Sequence, residues 1–234
     1  MAPRNTGSGQ RILEAALTLF SVNGFEATSM GEIAEAVGIR KASLYSHFTS
    51  KQEILDSLLE QMRERFERHS LPAHPENLPE APTPEAVAEL VMKQVDFLVH
   101  DPFISKTRRF LVLEQYRKPD FAAMQTKHAY TDVLAYHTAL FRKMIGAGRL
   151  KPGDAEMVAA QFAFPVSEWI ALIDREPERE AEALRLIRRH IASFFADHAA
   201  ERDAGRTEAL ESEDGRKRSV KTEDETEKAR ISGA

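Results

Sequence analysis

The chain has 234 residues, with 32 Lys and Arg against 37 Asp and Glu, a formal net charge of −5, and no cysteine. This length can bury one large core or two small ones, and the absence of cysteine excludes disulfides and thiolate metal sites. The sequence has no apolar run approaching about eighteen residues and no apolar signal core, so we expect a cytoplasmic protein that does not contact a membrane.

The first predicted helix covers residues 9–23 and follows a short arm, residues 1–8. The apolar residues that recur at helical spacing are Ile12, Leu13, Ala16, Leu17 and Phe20. Asn23 and Gly24 end this helix. The arm is rich in turn-forming residues and holds one Arg. Its composition predicts disorder, with insertion into a DNA minor groove as the alternative.

Residues 29–51 are predicted to form two short helices joined by a tight turn and followed by the start of a third. Ser29 with Glu32 three residues later is a capping box, which begins a helix. Gly38 ends that helix because glycine adopts the left-handed conformation at low cost. About two helical turns then follow from Lys41, with apolar residues four apart facing inward.

The outward side of this second short helix carries hydrogen-bond donors and cations. They are Arg40, Lys41, Ser43, Tyr45, Ser46, His47 and Lys51, and no Asp or Glu interrupts them. A short helix with small residues at its start and donors on its face fits a DNA major groove. Ser50 and Glu53 form a second capping box, which places Lys51 where its ammonium can share a phosphate with free N–H groups. The alternative is a three-helix unit with a chance basic edge.

Residues 11–60 resemble the DNA-binding domain of the TetR family of bacterial transcriptional regulators. The matching residues are Ile12, Ala16, Phe20, Gly24, Thr28, Ile33, Ala34, Gly38, Leu44, Tyr45, Phe48 and Lys51. The run LYSHFTSK is the most specific part of the match. The resemblance implies an all-α fold, with a helix-turn-helix domain over residues 9–50 and a larger helical domain that binds a ligand and forms a dimer.

The family pattern also implies roles for individual residues. It places base-reading positions at Lys41, Ala42, Ser43, Ser46 and His47, and phosphate contacts at Tyr45 and Lys51. Thr28 and Ser29 begin the second helix, where hydroxyls and free N–H groups suit phosphate binding, although capping alone also explains Ser29. The chain departs from the pattern at Arg40, where relatives often have a capping Ser or Thr, and at Gly31, where some have a long polar side chain.

The remaining chain divides by composition. Residues 51–69 predict an amphipathic helix, which the resemblance identifies as the link that swings the reading domain when ligand binds. Five prolines in residues 70–84 predict a linker over residues 70–83. Residues 84–198 predict further helices, which include residues 84–100, 102–117 and 119–145 and a helix that Asp154 caps and Pro165 interrupts. Residues 199–234, with ten acidic and eight basic residues, predict a disordered charged tail.

The domain over residues 84–198 is expected to bind a small effector and to form the homodimer. The resemblance implies an effector pocket in this region, and the candidate residues are Gln94, Tyr116, Tyr130 and His137. The alternative is a hydrogen-bonded core residue for Gln94, and plain core for the aromatic stripe that contains Tyr130 and His137. The resemblance implies that the last two helices pair with those of a second copy. The candidate residues for this pairing are Trp169, Leu184, Ile187, Ile191, Phe194 and Phe195.

We therefore expect a regulator, usually a repressor in this family, that a small molecule releases from a palindromic operator in double-stranded DNA. We expect no catalytic residue, cofactor or metal. One alternative is a helix-turn-helix adaptor or nucleoid-associated protein without an effector. The other is a helical metal-dependent phosphohydrolase, suggested by the doublet His100–Asp101, although a helix cap explains Asp101 more simply.

Overall fold

The computed structural model describes residues 7–69 and 82–200, and the predicted all-α fold is confirmed. The first four helices are α1 Gly7–Asn23, α2 Met30–Val37, α3 Lys41–His47 and α4 Lys51–His69. We call α1–α3 the reading head. α1 begins two residues before the predicted helix start at residue 9, so Gly7 and Ser8 of the predicted arm are helical. The rest of the predicted arm, residues 1–6, lies outside the described residues.

The second described stretch carries the other helices. They are α5 Pro84–His100, α6 Pro102–Glu114, α7 Pro119–Thr126, α8 Asp132–Gly146, α9 Ala155–Arg175 and α10 Glu180–His198. A short 3-10 turn, Pro177–Arg179, precedes α10. The helix predicted over residues 102–117 ends three residues early. Residues 70–81 of the predicted linker lie outside the described residues.

The chain divides into two units, Met1–His198 and Ala199–Ala234. All the helices named above lie in the first unit. The predicted tail corresponds to the second unit, which lies outside the described residues from residue 201 onward.

A π-helical turn, Lys127–Thr131, joins α7 to α8. The predicted helix over residues 119–145 is therefore one run with a widened turn in its middle. The N–H of Asp132 donates to the carbonyl of Lys127 five residues back, which is the bond that defines a π turn. In this turn His128 stacks on Phe66 of α4, with ring centroids 5.2 Å apart.

The helix ends of the reading head follow the predicted capping residues. The hydroxyl of Ser29 accepts from the N–H of Glu32, whose carboxylate accepts from the N–H of Ser29, so the capping box is complete. Gly38 ends α2 with a φ of 74°, in the left-handed region. The second box is only half formed. Ser50 accepts from the N–H of Glu53, but the Glu53 carboxylate bonds the preceding threonine and not Ser50.

The buried apolar side chains form two clusters. The first joins α1–α4, and α6 contributes Phe103, Ile104, Phe110 and Leu111 to it. The second joins α5, α8, α9 and α10 around Phe141, Phe162 and Phe194. Although the sequence assigns α6 to the C-terminal domain, its apolar face is therefore part of the core of the reading head.

Within residues 7–69 and 82–200, α9 is the one helix long and apolar enough to cross a membrane. Six of its residues are nevertheless buried, and they are Ala159, Phe162, Ala163, Val166, Ile170 and Ile173. They pack against α8 and α10, which is the arrangement of a core helix. Asp154 caps this helix as predicted, and Pro165 lies inside it without ending it.

Candidate nucleic-acid interface

α3 is held on the core of the reading head by Leu44, which is fully buried, and by the buried Phe48 at its end. The predicted base-reading and phosphate side chains consequently lie on the outside of the helix. The exposed ones are Arg40, Lys41, Ala42, Ser43, Tyr45 and Ser46, and His47 is half-buried. The structure thus brings the predicted contacts of α3 together on one surface.

The exposed face of α3 carries cations and donors, and α3 itself contains no acidic residue. Arg40 is the N-terminal flanking residue of α3 and its side chain makes no capping bond, as its departure from the family pattern suggests. Lys41 follows it, and no acidic residue lies in the first turn. Cations at the positive end of a helix dipole are unfavourable, so an anionic partner is needed to stabilise them. The hydroxyl of Ser46 donates to the carbonyl of Ser43 at 2.7 Å and can accept a hydrogen bond from a base.

Thr28 and Ser29, the two predicted phosphate contacts at the start of α2, have different environments. Thr28 is buried, and its hydroxyl donates to the carbonyl of Gly24 at 2.9 Å. Its side chain therefore lies inside the fold and not at the surface, unlike the prediction. Ser29 is exposed, and its hydroxyl oxygen accepts from the N–H of Glu32. Because that bond uses only a lone pair, the hydroxyl proton is available to a phosphate oxygen.

Lys51 has partners within the protein that the sequence does not reveal. Its ammonium donates to the carbonyls of Phe25 at 2.6 Å, Thr28 at 2.7 Å and Glu26 at 3.3 Å. It also lies over the ring of Phe25, 4.4 Å from the centroid. All three of its donors are used. In this conformation Lys51 stabilises the turn between α1 and α2, which differs from the predicted phosphate contact.

The four predicted effector residues lie in dissimilar surroundings. Tyr116 is 90% exposed just beyond the end of α6, so it lines no enclosed pocket. Tyr130 is also exposed and stacks on Phe164, with ring centroids 5.3 Å apart. Gln94 is half-buried on α5, and only His137 is buried in the second core.

His137 lies among aromatic rings as a neutral imidazole. Its ring centroid is 5.4 Å from that of Phe162 and 5.1 Å from that of Tyr136. Burial lowers the pKa of His137 to about 4, although a bond to the carbonyl of Val133 at 2.8 Å acts in the opposite direction. Since that carbonyl must accept, the Nδ1 atom of His137 carries the proton.

This shifted pKa predicts a loss of stability in acid. Between pH 6.5 and 4 the unfolded chain binds a proton at His137 and the folded chain does not, so the free energy of unfolding falls as the pH falls. The loss approaches about 3 kcal/mol below pH 4. In urea unfolding from pH 7 to 4.5, His137→Gln should show a smaller decrease than the parent. Parallel curves for the two proteins would show that His137 titrates normally.

Two buried hydroxyls beside His137 were missed in the sequence. Among the described residues, the Tyr136 hydroxyl and the Thr138 hydroxyl are buried without a hydrogen-bond partner. Burial also raises the pKa of Tyr136 to about 12. Buried polar groups are normally paired, so unpaired ones can mark the place of a bound molecule. In the sequence, the only sign of these two hydroxyls was that Tyr136 and Thr138 flank His137.

The six predicted dimerisation residues belong mostly to the core of their own chain. Ile187, Ile191, Phe194 and Phe195 are buried in the second cluster, and Trp169 and Leu184 are half-buried against it. An apolar stripe on a helix indicates burial but not which chain provides the cover. The surface of α9 that remains open includes Met157, whose side chain is 55% exposed.

The doublet His100–Asp101 has structural partners. The two ring nitrogens of His100 lie 3.1 Å from Glu180 and 2.8 Å from Asp96, and these carboxylates raise the pKa of His100. Asp101 caps α6 and pairs with Arg65 at 2.8 Å. In the part of the chain that the structure describes, no group of three potential ligands is suited to a metal ion.

Two family models match the sequence. Residues 12–58 match the model of bacterial regulatory proteins of the tetR family. Residues 85–200 match the C-terminal domain of AefR-like transcriptional repressors. The two ranges together cover more than half of the chain.

Curated relatives match over a shorter stretch. The chain is 48% identical over 46 residues to IcaR, the negative transcriptional regulator of the biofilm operon icaADBC in Staphylococcus aureus, which is 20% of this chain and 25% of IcaR. The Staphylococcus epidermidis protein is 37% identical over 67 residues, 29% of this chain and 36% of that protein. The chain thus spans about a quarter to a third of the length of these relatives.

Solved structures resemble the chain over most of its length. SmeT, the repressor of a Stenotrophomonas maltophilia multidrug efflux pump, solved with triclosan, is 19% identical with a TM-score of 0.61 over 84% of this chain and 93% of SmeT. A regulator from Saccharomonospora viridis in complex with choline is 20% identical with a TM-score of 0.58, over 84% and 99%. At these identities the likeness shows the fold alone.

Proposed function

Because this chain belongs to the TetR family of bacterial regulatory proteins, we propose that it is a cytoplasmic repressor that binds a DNA operator as a homodimer. The observation that supports this most strongly is the outward face of α3. It presents Arg40, Lys41, Ser43, Tyr45 and His47 on a helix that contains no Asp or Glu and that buried residues fix. Such a surface suits the base edges and phosphates of a major groove.

On this proposal each α3 enters one half of a palindromic operator. Lys41, Ser43, Ser46 and His47 face the base edges, and the methyl group of Ala42 suits a thymine methyl. Tyr45 and Ser29 contact phosphates. The structure favours a different role for Lys51, which supports the turn that carries Ser29. Twofold symmetry places the two heads about 34 Å apart, one turn of DNA.

We further propose that the effector is a small, mainly apolar molecule with a hydrogen-bonding group. The aromatic cluster around His137 offers apolar contacts, and the hydroxyl of Tyr136, whose ring contacts that of His137 and which has no partner among the described residues, offers a polar one. Triclosan and choline in two structural neighbours are both small organic ligands. Binding would stabilise a conformer whose heads are wrongly spaced for the operator.

The homodimer is proposed to form through the open surfaces of α9 and α10. The exposed apolar side chain of Met157 and the half-exposed Phe164 support this choice, because the residues predicted from the stripe of α10 are already covered. Light scattering, which measures the mass of the particle in solution, tests whether the protein is a dimer. We expect twice the chain mass of 26.3 kDa, and a particle of one chain mass would contradict the dimer.

Two substitutions on α3 separate base reading from phosphate binding. Ser43→Ala should lower discrimination at one operator position about tenfold, because a lost base contact costs specificity. Tyr45→Phe should weaken binding about threefold on specific and scrambled DNA alike. Selection from a random DNA library, followed by titration of the selected site, measures both effects. Ser57→Ala, whose hydroxyl bonds its own helix on α4, is the matched control. Equal effects of both α3 variants on both DNAs would contradict these roles.

A further inference from the structure

The turn between α1 and α2, residues 24–28, is held by a buried acid from α6. The Oε1 atom of Glu114 accepts from the N–H of Phe25 at 2.9 Å, across 89 residues of sequence. Glu114 is 0% exposed although it carries a carboxyl group. It continues the buried stripe of Phe103, Thr107 and Phe110, so it lies on the side of α6 that faces the reading head.

The contact is close and specific. Gly24 has a φ of 83°, and a Cβ atom there would lie 2.7 Å from Glu114 Oε1 and 2.5 Å from Nη1 of Arg117. Only glycine permits both this conformation and this approach. The other carboxyl oxygen, Oε2, is buried without a partner among the described residues. Such a group is costly, and Oε1 offsets the cost by accepting from the N–H of Phe25 and from Nη1 of Arg117 at 3.2 Å.

The same turn is held from a second side and at its surface. Lys51, at the start of α4, donates to three carbonyls of residues 25–28. Lys118, just after α6, pairs with Glu26 at 3.0 Å and lies over the ring of Phe25, 4.6 Å from the centroid. The turn is therefore contacted both from the start of α4 and from the C-terminal end of α6.

We propose that Glu114 is a positioning residue for DNA binding, which fixes the start of α2 from the C-terminal domain. Because α6 shares the core of the reading head, a displacement of α6 would move Phe25 with it. The start of α2 follows, and with it Ser29, the proposed phosphate contact. The effect on DNA binding rests on the proposed function, but the contact between Glu114 and the turn over residues 24–28 can be tested without DNA.

The test compares Glu114→Met with Glu114→Gln. The two side chains have similar length, but only glutamine can accept the hydrogen bond from Phe25. We expect amide hydrogen exchange at residues 24–29 to be about tenfold faster in the Met variant and near the parent rate in the Gln variant. In anisotropy titrations on the selected operator, the Met variant should bind about tenfold more weakly and the Gln variant like the parent.

Asp174→Asn is the matched control, because it removes the charge from a partly buried ion pair between α6 and α9, Arg108–Asp174, that lies outside the turn. It should reduce thermal stability without changing exchange at residues 24–29. Equal exchange in the Met and Gln variants, or the same acceleration in Asp174→Asn, would overturn the link. Faster exchange with unchanged affinity would overturn the DNA role. If the parent fails to bind any DNA, the proposed function fails while the exchange result still decides the link.

Discussion

Replacing Lys51 by alanine is expected to lower the free energy of unfolding by about 3 kcal/mol in the absence of DNA. The ammonium donates three hydrogen bonds to carbonyls between α1 and α2, and bonds to a charged group contribute about 1.5 kcal/mol or more each. Solvent exposure of the side chain reduces the sum. DNA affinity should fall more than tenfold, because the turn supports Ser29.

Urea unfolding of the free protein distinguishes this role from a phosphate contact. Lys106→Ala is the control, because its ammonium bonds the hydroxyl of Thr18 at the exposed side of α1. It should change stability by less than about 0.5 kcal/mol. If Lys51→Ala unfolds like the parent yet binds DNA weakly, Lys51 acts on phosphate and its contacts in the turn contribute little.

Phe162→Ala is expected to destabilise the C-terminal domain by about 4 kcal/mol, the cost of emptying a fully buried phenyl site. Phe162 is 0% exposed, and its ring centroid lies 4.8 Å from that of Phe194 and 5.2 Å from that of Phe141. Three helices, α8, α9 and α10, therefore meet on this one ring. Loss of their arrangement should also abolish dimer formation at low concentration.

Thermal and urea unfolding measure this effect, with Arg142→Ala on α8 as the control. Arg142 is exposed and lies outside the proposed dimer surface, so its replacement should change the free energy of unfolding by less than about 0.5 kcal/mol. A cost below about 1 kcal/mol for Phe162→Ala would mean that the cluster readily collapses into the vacated space. It would argue against a rigid aromatic core beside His137.

The sequence predicted what depends on local patterns. Helical periodicity placed α1 and α4, and the side chains of Ser29 and Asp154 marked helix starts, because a cap requires only neighbouring residues. The sequence did not predict the contacts of long side chains whose partners are distant in the sequence. Lys51 has four rotatable bonds, so its position in the sequence does not fix the place of its ammonium. The π turn likewise leaves no periodic trace in a continuous apolar stripe.

Burial was predicted better than the identity of the partner. The stripe of α10 correctly indicated that Ile187 and Phe194 are covered, but the cover comes from the same chain. The sequence does show that Glu114 is an acidic residue within an apolar stripe. It does not show that the carboxylate accepts a hydrogen bond from the N–H of Phe25, 89 residues away. Such long-range pairs depend on how the helices pack, which periodicity does not encode.

The most direct test of the central claim is fluorescence anisotropy of the purified protein on the DNA upstream of its own gene, with a scrambled competitor and a salt series. We expect tight binding that resists the competitor, saturates at one or two dimers per site, and weakens with salt as phosphate contacts require. Small organic compounds can then be screened for release. Affinity for the selected or upstream DNA no higher than for scrambled DNA would contradict a sequence-specific repressor and favour an adaptor that retains the fold.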